Sequence, residues 1–314
     1  MPFWRSLLSK YLYLFATSTV SFRIMQYNVE WLFIDYNSVS DCPGDGCTWK
    51  NQSEAQIHLQ TISNIVQEMS PDIVHFCELG GMTELQQVSV SGPYIPFFIK
   101  GKDTSTGQNV GLLSQIQTTK NISRTENRYN YPIAGSKCEY VGENGSSGVS
   151  KHIISEFTIL THDTVIIGAH LLAFPTDPAR CAEREAQAMV LQEVIVDALA
   201  EKKEVIVLGD FNDYDSEILD SNSNLPKSSV LDILKIDGRL HSVAEWISQQ
   251  NRYSEWYDEN GNCKSSSNEF SMIDHILVTP LLFSRIQQAF IYHGYSEECG
   301  TYQSDHFPVI VDFA

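Results

Sequence analysis

Hydrophobic positions along this chain follow two different periods. Short apolar, β-branched runs recur at residues 22–27, 73–77, 94–99, 110–114, 152–160, 164–170, 204–209, 273–279, 285–292 and 308–313. Some are apolar without interruption, as in Val165-Ile166-Ile167 and Val205-Ile206-Val207-Leu208. Such runs predict central strands covered on both faces. A helical period appears twice. Over residues 53–69, Ile57, Ile62, Ile65, Val66 and Met69 form a stripe that Pro71 ends. Over residues 178–201, Ala186, Val190, Leu191, Val194, Ile195 and Ala198 do the same. Residues 118–150 and 221–228 read as polar, turn-rich loops. No internal repeat or low-complexity linker divides the chain. The pattern predicts one α/β domain, with strands in sheets at the centre and helices packed outside.

Composition narrows the possibilities. At 314 residues, 42% hydrophobic and 11% aromatic, the chain has enough apolar surface for a full core without a metal or disulfide staple. A formal charge of −18 excludes a basic nucleic-acid coat and a polybasic membrane anchor. It leaves a phosphate-bearing substrate open, because a divalent cation supplies positive charge locally. No apolar run is long enough to span a bilayer, and a monomer is expected.

The first 18 residues carry Arg5 and Lys10, an apolar stretch from Tyr11 to Ala16, and the small-residue site Ala16-Thr17-Ser18. That arrangement reads as a cleavable signal peptide, with residues 19–314 forming a single catalytic domain of a secreted protein. Two features agree with export. Seven cysteines are present: Cys77 ends an apolar run and reads as a buried free thiol. Cys42 and Cys47 enclose only turn residues, so they can close a small surface loop. The other four leave their pairing open. The absence of any C-x2-C pair argues against a zinc site. Asn51, Asn121 and Asn144 begin glycosylation triplets in polar stretches.

Chemistry-bearing residues gather where the apolar runs stop. The first run leads into Asn28-Val29-Glu30, two polar residues on one side of an extended chain. Later runs end in Glu78, in His170 and in Gly209-Asp210-Phe211-Asn212. Near the C-terminus come Ile273-Asp274-His275 and Ser304-Asp305-His306-Phe307-Pro308. Any one of these reads equally well as a turn or cap residue. As a set they are five carboxylates, two histidines and two amides. Carboxylates converging without bases repel one another, so the set calls for a hard cation such as Mg²⁺, Ca²⁺ or Mn²⁺. A cation, a water and histidine acid/base groups are what phosphoester hydrolysis requires.

This ordered set resembles the endonuclease/exonuclease/phosphatase superfamily, which includes pancreatic deoxyribonuclease, abasic-site endonucleases, neutral sphingomyelinases and inositol-polyphosphate phosphatases. The resemblance spans residues 22–313. It implies a four-layer α/β/β/α sandwich, two central mixed β-sheets face to face with helices outside. It also implies roles. Glu78 resembles the principal metal ligand, with Asn28, Glu30 and Asp305 completing or orienting its shell. His306, held by Asp274, resembles the acid/base histidine. Asp210 resembles the residue that orients or deprotonates the attacking water. Asn212 and His170 resemble the groups that contact the phosphoryl oxygens.

Departures from the family bear on substrate. Secreted deoxyribonucleases of this group carry arginines where Glu30 and Gly80 stand here, and Glu30 resembles instead the acid of the abasic-site enzymes. Losing two phosphate-gripping bases weakens the case for duplex DNA. Arg124, Arg128 and Lys151 are candidate replacements or ordinary solvated residues. The stretch from His170 through Arg184 to Gln187 has some sphingomyelinase character, or is a plain packing face. His75 and His275 read as core, and Trp246, Trp256 and Tyr257 as packing rather than a substrate rim. The expectation is a metal-dependent phosphodiesterase of nuclease type acting on a phosphoester in nucleic acid, phospholipid or a small phosphate. Its alternatives are a sphingomyelinase-like or inositol-phosphate phosphatase activity, and an inactive secreted binding module.

Overall fold

The computed structural model describes residues 21–34, 48–90, 92–295, 299 and 301–314. The segment read as a signal peptide and the loop expected between Cys42 and Cys47 lie outside the described residues.

One sheet contains β1 (Phe22–Leu32), β2 (Ile73–Leu79), β3 (Ile95–Phe98), β4 (Asn109–Ser114), β14 (Ile286–Ile291) and β15 (Val309–Phe313). The other contains β7 (Lys151–Ile159), β8 (His162–His170), β9 (Glu204–Asp210), β10 (His241–Ser242) and β13 (Asp274–Val278). Two small pairs flank them: β5 (Tyr129–Tyr131) with β6 (Gly145–Ser147), and β11 (Glu255–Trp256) with β12 (Phe270–Ser271). The helices are α1 (Gln52–Met69), α2 (Met82–Ser89), α3 (Pro178–Ala200), α4 (Val230–Lys235) and α5 (Pro280–Phe283).

Strand order is β14-β15-β1-β2-β4-β3 in the first sheet and β10-β13-β9-β8-β7 in the second. Both are mixed. Each has one parallel pair, β1 with β2 and β8 with β9, and the remaining pairings are antiparallel. A parallel pair needs a crossover, which α1 supplies in one sheet and α3 in the other.

The apolar residues sort by strand parity into three layers. Ile24, Ile73, Cys77 and Leu112 meet Ile153, Ile166, Ile206, Leu208 and Ile276 in the core between the sheets. Met25, Tyr27, Val29, Val74 and Phe76 face outward onto Ile62, Val66 and Met69 of α1. Val205 and Val207 face Val190, Leu191 and Ile195 of α3. The expected four-layer sandwich of two mixed sheets between helices is the observed architecture. Two glycines permit the close approach. A β-carbon on Gly168 would lie 2.3 Å from the His75 ring, and one on Gly209 would lie 1.8 Å from the Ala169 carbonyl oxygen.

Some local expectations need correcting. Ile57 leaves the α1 stripe and is exposed, while His58 and Leu59 take the buried face. The reason is angular: the apolar arc facing the sheet is centred on Ala55, Leu59 and Ile62, one residue round from Ile57. Residues 118–150, expected as loop, contain the β5–β6 pair. Disulfides join Cys138 to Cys181 and Cys263 to Cys299, and Cys77 is a buried free thiol. Asn51, one of the glycosylation acceptors, caps α1 by accepting the Glu54 N–H, and Asn121 and Asn144 are exposed.

Candidate active site

Strand parity that fills the inter-sheet core also aims the polar residues. Gln26 and Asn28 continue the face of Ile24, and Asp210 continues that of Ile206 and Leu208. His170 follows Ile166 and Gly168, and Asp274 precedes Ile276. At these strand ends the apolar core therefore gives way to a buried polar cluster.

Glu78 breaks that parity. Its backbone lies in the left-handed region at φ 66°, and the β1–β2 and β2–β4 registers both shift beside it. The irregularity turns its carboxylate toward the cluster. Glu30, Trp31 and Asn212 also have positive φ, at 43°, 50° and 50°. Left-handed backbone at non-glycine residues costs stability and persists where the surroundings hold it, which is common at functional sites.

Asn28 sits at the centre. Its amide nitrogen is 3.2 Å from Glu78 Oε1, 2.9 Å from Asp210 Oδ2 and 3.3 Å from His306 Nε2. Its oxygen accepts the Glu30 N–H at 3.1 Å, so the amide is placed as a donor to the cluster. Donor atoms of Glu78, His170 and Asp210 lie within 4.8 Å of one another, as do those of Asp210, Asp274 and His306. His306 Nδ1 pairs with Asp274 Oδ2 at 2.6 Å, and Asp274 Oδ1 accepts from Gln26 Nε2 at 3.1 Å. Ser304 Oγ donates to the Asn28 carbonyl and accepts the His306 N–H, tying the C-terminal loop to β1.

Glu30 and Asp305 form a neighbouring pair. Glu30 accepts from Thr48 Oγ1 at 2.8 Å and from the Asp305 N–H at 3.1 Å. Asp305 Oδ1 is 3.9 Å from His306 Nε2. Asn212 folds back, its N–H donating to Asp210 Oδ1 and its amide to the Leu171 carbonyl.

Electrostatics follow from burial and crowding. Burial, then the nearby charges of Asp305 and Glu78, pushes Glu30 well above the usual carboxylate range. Burial and Asp274 do the same to Asp210, and burial raises Asp305 to about 7 despite His306. Burial pulls the His306 imidazole down, yet Asp274, Asp305 and Asp210 together hold it well above its ordinary value. Burial takes His170 well below its ordinary value, and Lys151 and His306 reinforce the shift. The two histidines thus differ: their surroundings push His306 toward its charged form and His170 toward its neutral form. His170 Nδ1 and Asp305 Oδ1 are buried without a hydrogen-bond partner. Crowded carboxylates and unused donor atoms of this kind fit a hard divalent cation.

All nine expected residues thus fall at one end of the sandwich. Three others, Gln26, Ser254 and Glu255, were not foreseen. Gln26 braces Asp274 through Nε2, and its Oε1 accepts from His75 Nδ1 at 2.6 Å. It was legible as the next step back in the alternation of Asn28 and Glu30. Ser254 Oγ accepts the N–H groups of Ile273 and Asp274. Burial raises the pKa of Glu255, whose carboxylate accepts the Ser271 hydroxyl at 2.5 Å and whose backbone forms an isolated β-bridge with that of His306. Arg184 is fully buried and is taken up below.

The candidate replacement bases are engaged elsewhere. Arg124 and Arg128 donate to backbone carbonyls, and Lys151 pairs with Gln108 and Asp103. His75 and His275 are buried within their strands. Trp246 packs on Phe283, but Trp256 and Tyr257 line a pocket beside Glu30 and Asp305 instead of serving only as packing. The β11–β12 pair carries them there, a tertiary placement that no local pattern specifies.

A family model described as Endonuclease/Exonuclease/phosphatase family matches residues 25–306. Among solved structures, truncated TDP2 from Caenorhabditis elegans is similar at 13% identity and TM-score 0.57, covering 94% of this chain and 98% of that one. TDP2 from D. rerio, complexed with a single-strand DNA product, is similar at 16% identity and TM-score 0.55, covering 94% and 99%. A humanized D. rerio TDP2 carrying 14 mutations is similar at 17% identity and TM-score 0.54, with the same coverage. These likenesses concern the fold. No curated protein matches in sequence. No helix among the described residues is long and apolar enough to cross a membrane.

Proposed function

The chain belongs to the endonuclease/exonuclease/phosphatase family, and from that premise we propose that it is a divalent-metal-dependent phosphodiesterase. The observation that carries this reading is the convergence of Glu78, His170 and Asp210 beside the Asp274–His306 pair.

Glu78, with Asn28, Glu30 and Asp305 around it, would hold a divalent cation, which when bound would neutralise charge on the phosphoryl oxygens and lower the pKa of water. The protein's own groups do the rest. Asp274 fixes the ring of His306 and stabilises its charged form, so the imidazolium donates toward the developing negative charge. Asp210, bridged to Asn28 and Asn212, orients the attacking water and takes its proton. The second N–H of the Asn212 amide and an N–H of neutral His170 remain to bind phosphoryl oxygens.

A nuclease-type substrate is one version of this reading, supported by the fold shared with TDP2. A zwitterionic small or lipid phosphodiester is the other, and the pocket beside Asp305 favours it. We propose as well that the protein is exported, a reading with which the two disulfides are compatible.

The test is turnover of bis(p-nitrophenyl) phosphate, plasmid, single-stranded nucleic acid and sphingomyelin with Mg²⁺ and then EDTA. Cation-dependent hydrolysis of at least one is expected. No hydrolysis of any would overturn the assignment in favour of an inactive binding module.

A further inference from the structure

Gln26 and His75 stand where the alternation of β1 and β2 calls for apolar residues. They are register partners on adjacent strands, both 0% exposed, on the face that fills the core between the sheets. Cys77, equally buried, follows His75 on that face. Polar groups in such a place cost stability unless each finds its hydrogen bonds.

They find them in one arrangement. His75 Nδ1 lies 2.6 Å from Gln26 Oε1. Gln26 Nε2 lies 3.1 Å from Asp274 Oδ1 and 3.5 Å from Cys77 Sγ. Cys77 turns its own weak donor to the Ala169 carbonyl, which leaves its sulfur to accept from the amide. Asp274 offers its other oxygen, Oδ2, to His306 Nδ1 at 2.6 Å. A continuous chain of donors and acceptors thus runs from the middle of the core to the acid/base histidine.

The far end sets the sense of this chain. The two ends of an amide are alike in shape, and its partners decide which is oxygen. His75 Nε2 is buried without a partner, its ring against Gly168 of the opposite sheet, where a β-carbon would lie 2.4 Å from that nitrogen. Burial pulls the imidazole down to about 3, so it is neutral and has a single N–H. With Nε2 unpartnered, that N–H is on Nδ1 and points at Gln26 Oε1. Reversing the amide would set oxygen against Asp274 Oδ1 and N–H against N–H, two repulsions in place of two bonds.

We propose that His75 is a positioning residue for the reaction: it fixes the Gln26 amide, which holds the Asp274 carboxylate in the pose that pairs with His306. Its effect on turnover rests on the phosphodiesterase reading, while the chain itself is tested without it.

His75→Leu removes the N–H and keeps the site apolar. His75→Asn keeps an N–H close to the place of Nδ1 and leaves space beside Gly168. The two variants should therefore rank oppositely, His75→Leu the more stable in urea unfolding and His75→Asn the more active. With bis(p-nitrophenyl) phosphate and Mg²⁺, His75→Leu should lower kcat about ten-fold at unchanged KM, less than loss of the acid/base group itself, and His75→Asn should restore most of it. Gln26→Met should lower kcat by a similar factor, and adding His75→Leu to it should change nothing further, because the two act in series. His75→Phe, which keeps a ring without an N–H, serves if the leucine variant does not fold.

Proton NMR gives the readout that needs no turnover. The far-downfield resonance of the His306 Nδ1–H, identified by its loss in His306→Gln, should persist in His75→Asn and move or broaden in His75→Leu. A resonance unmoved in His75→Leu overturns the proposal whether or not any ester is hydrolysed. Activity that follows stability, with His75→Asn below His75→Leu, overturns it too, as do additive losses in the double variant. A resonance that moves as expected, in a wild type that hydrolyses no phosphoester, supports the chain and overturns the phosphodiesterase.

Discussion

The β1–α1–β2 unit carries Asn28, Glu30 and Glu78 at its strand ends, and the β8–α3–β9 unit carries His170, Asp210 and Asn212. Topologically they are alike, one parallel pair crossed by one helix. Their means of holding the site differ. In the first, α1 packs an apolar face of Leu59, Ile62, Val66 and Met69 on its sheet, and the left-handed residues Glu30 and Glu78 aim the acids. In the second, α3 presents a buried polar edge. Arg184 donates to Asp213 Oδ2 at 3.0 Å and to the carbonyls of Leu172, Ala173, Phe174 and Pro175. Gln187 accepts the Leu172 N–H, and Glu185 accepts the Ser229 N–H at 2.8 Å. One guanidinium thus ties the loop after His170 to the loop after Asp210.

The difference shows that a helix of modest amphipathicity can still be a strong organiser. Apolar packing sets the distance between layers but holds a loop's orientation weakly. A fork of five N–H donors fixes direction as well. The half that places the water-activating Asp210 uses the directional device.

The largest effects should come from the chemistry both halves share. Asp210→Ala and Glu78→Ala should each lower kcat by roughly 10²–10⁴-fold, one from each unit, with circular dichroism unchanged. If only one variant lost activity, the site would belong to a single half.

Arg184→Ala should cost about 3–5 kcal/mol in urea unfolding, because it strands Asp213 and several carbonyls in the interior. Ile62→Ala in α1 should cost a comparable 2–5 kcal/mol. Kinetics separate the two. Arg184→Lys should lower kcat more than Ile62→Ala does, although Lys keeps the charge and Ala loses packing. Equal kcat losses per unit of stability would erase the contrast.

Saturating Mg²⁺ should raise the melting temperature through preferential binding to the folded state, which is stabilised by about 2.7 kcal/mol at one hundred times Kd. Glu78→Gln in the first unit should abolish that rise. A full rise in Glu78→Gln would move the cation to the second unit.

The smallest effect concerns a brace of the first sheet. Burial pulls Asp312 up, but the Arg23 fork at 2.7 and 2.8 Å and the Gln288 amide outweigh it and lower its pKa. A carboxylate depressed in the folded state adds stability above its unfolded pKa and loses it as pH falls through the folded value. Asp312→Asn should therefore cost about 1 kcal/mol at neutral pH, with the difference shrinking below pH ~4. Unfolding curves across that range decide it. A difference that grows toward low pH would have the wrong sign.

Much of the fold is readable from alternation alone. Uninterrupted apolar runs such as Val205–Leu208 had to be strands covered twice, and the parity that buries Ile206 and Leu208 between sheets also turns Asp210 inward. The same rule turns Asn28, His170 and Asp274 to the inner face of their strands, while their meeting in one cleft was what the family resemblance implied. Glu78 escaped the rule because a register shift and positive φ re-aim it, and such irregularities arise from strand pairing. Ile57 escaped because an apolar residue costs little at the surface, whereas His58 is drawn inside by carbonyls of Val29 and Tyr302.

By itself, then, the sequence determined an α/β domain with strands at the centre and helices outside, the strand ends that carry the acids and histidines, and the family that their order resembles. These depend on local periodicity and on order along the chain. Only the tertiary structure decided that Arg184 is a buried clamp, that Cys138 pairs with Cys181 and Cys263 with Cys299, and that Trp256 and Tyr257 stand beside Asp305. Each of those is a contact between segments far apart in sequence. Its direction is set by how two sheets and their loops close on one another, which no local pattern of residues records.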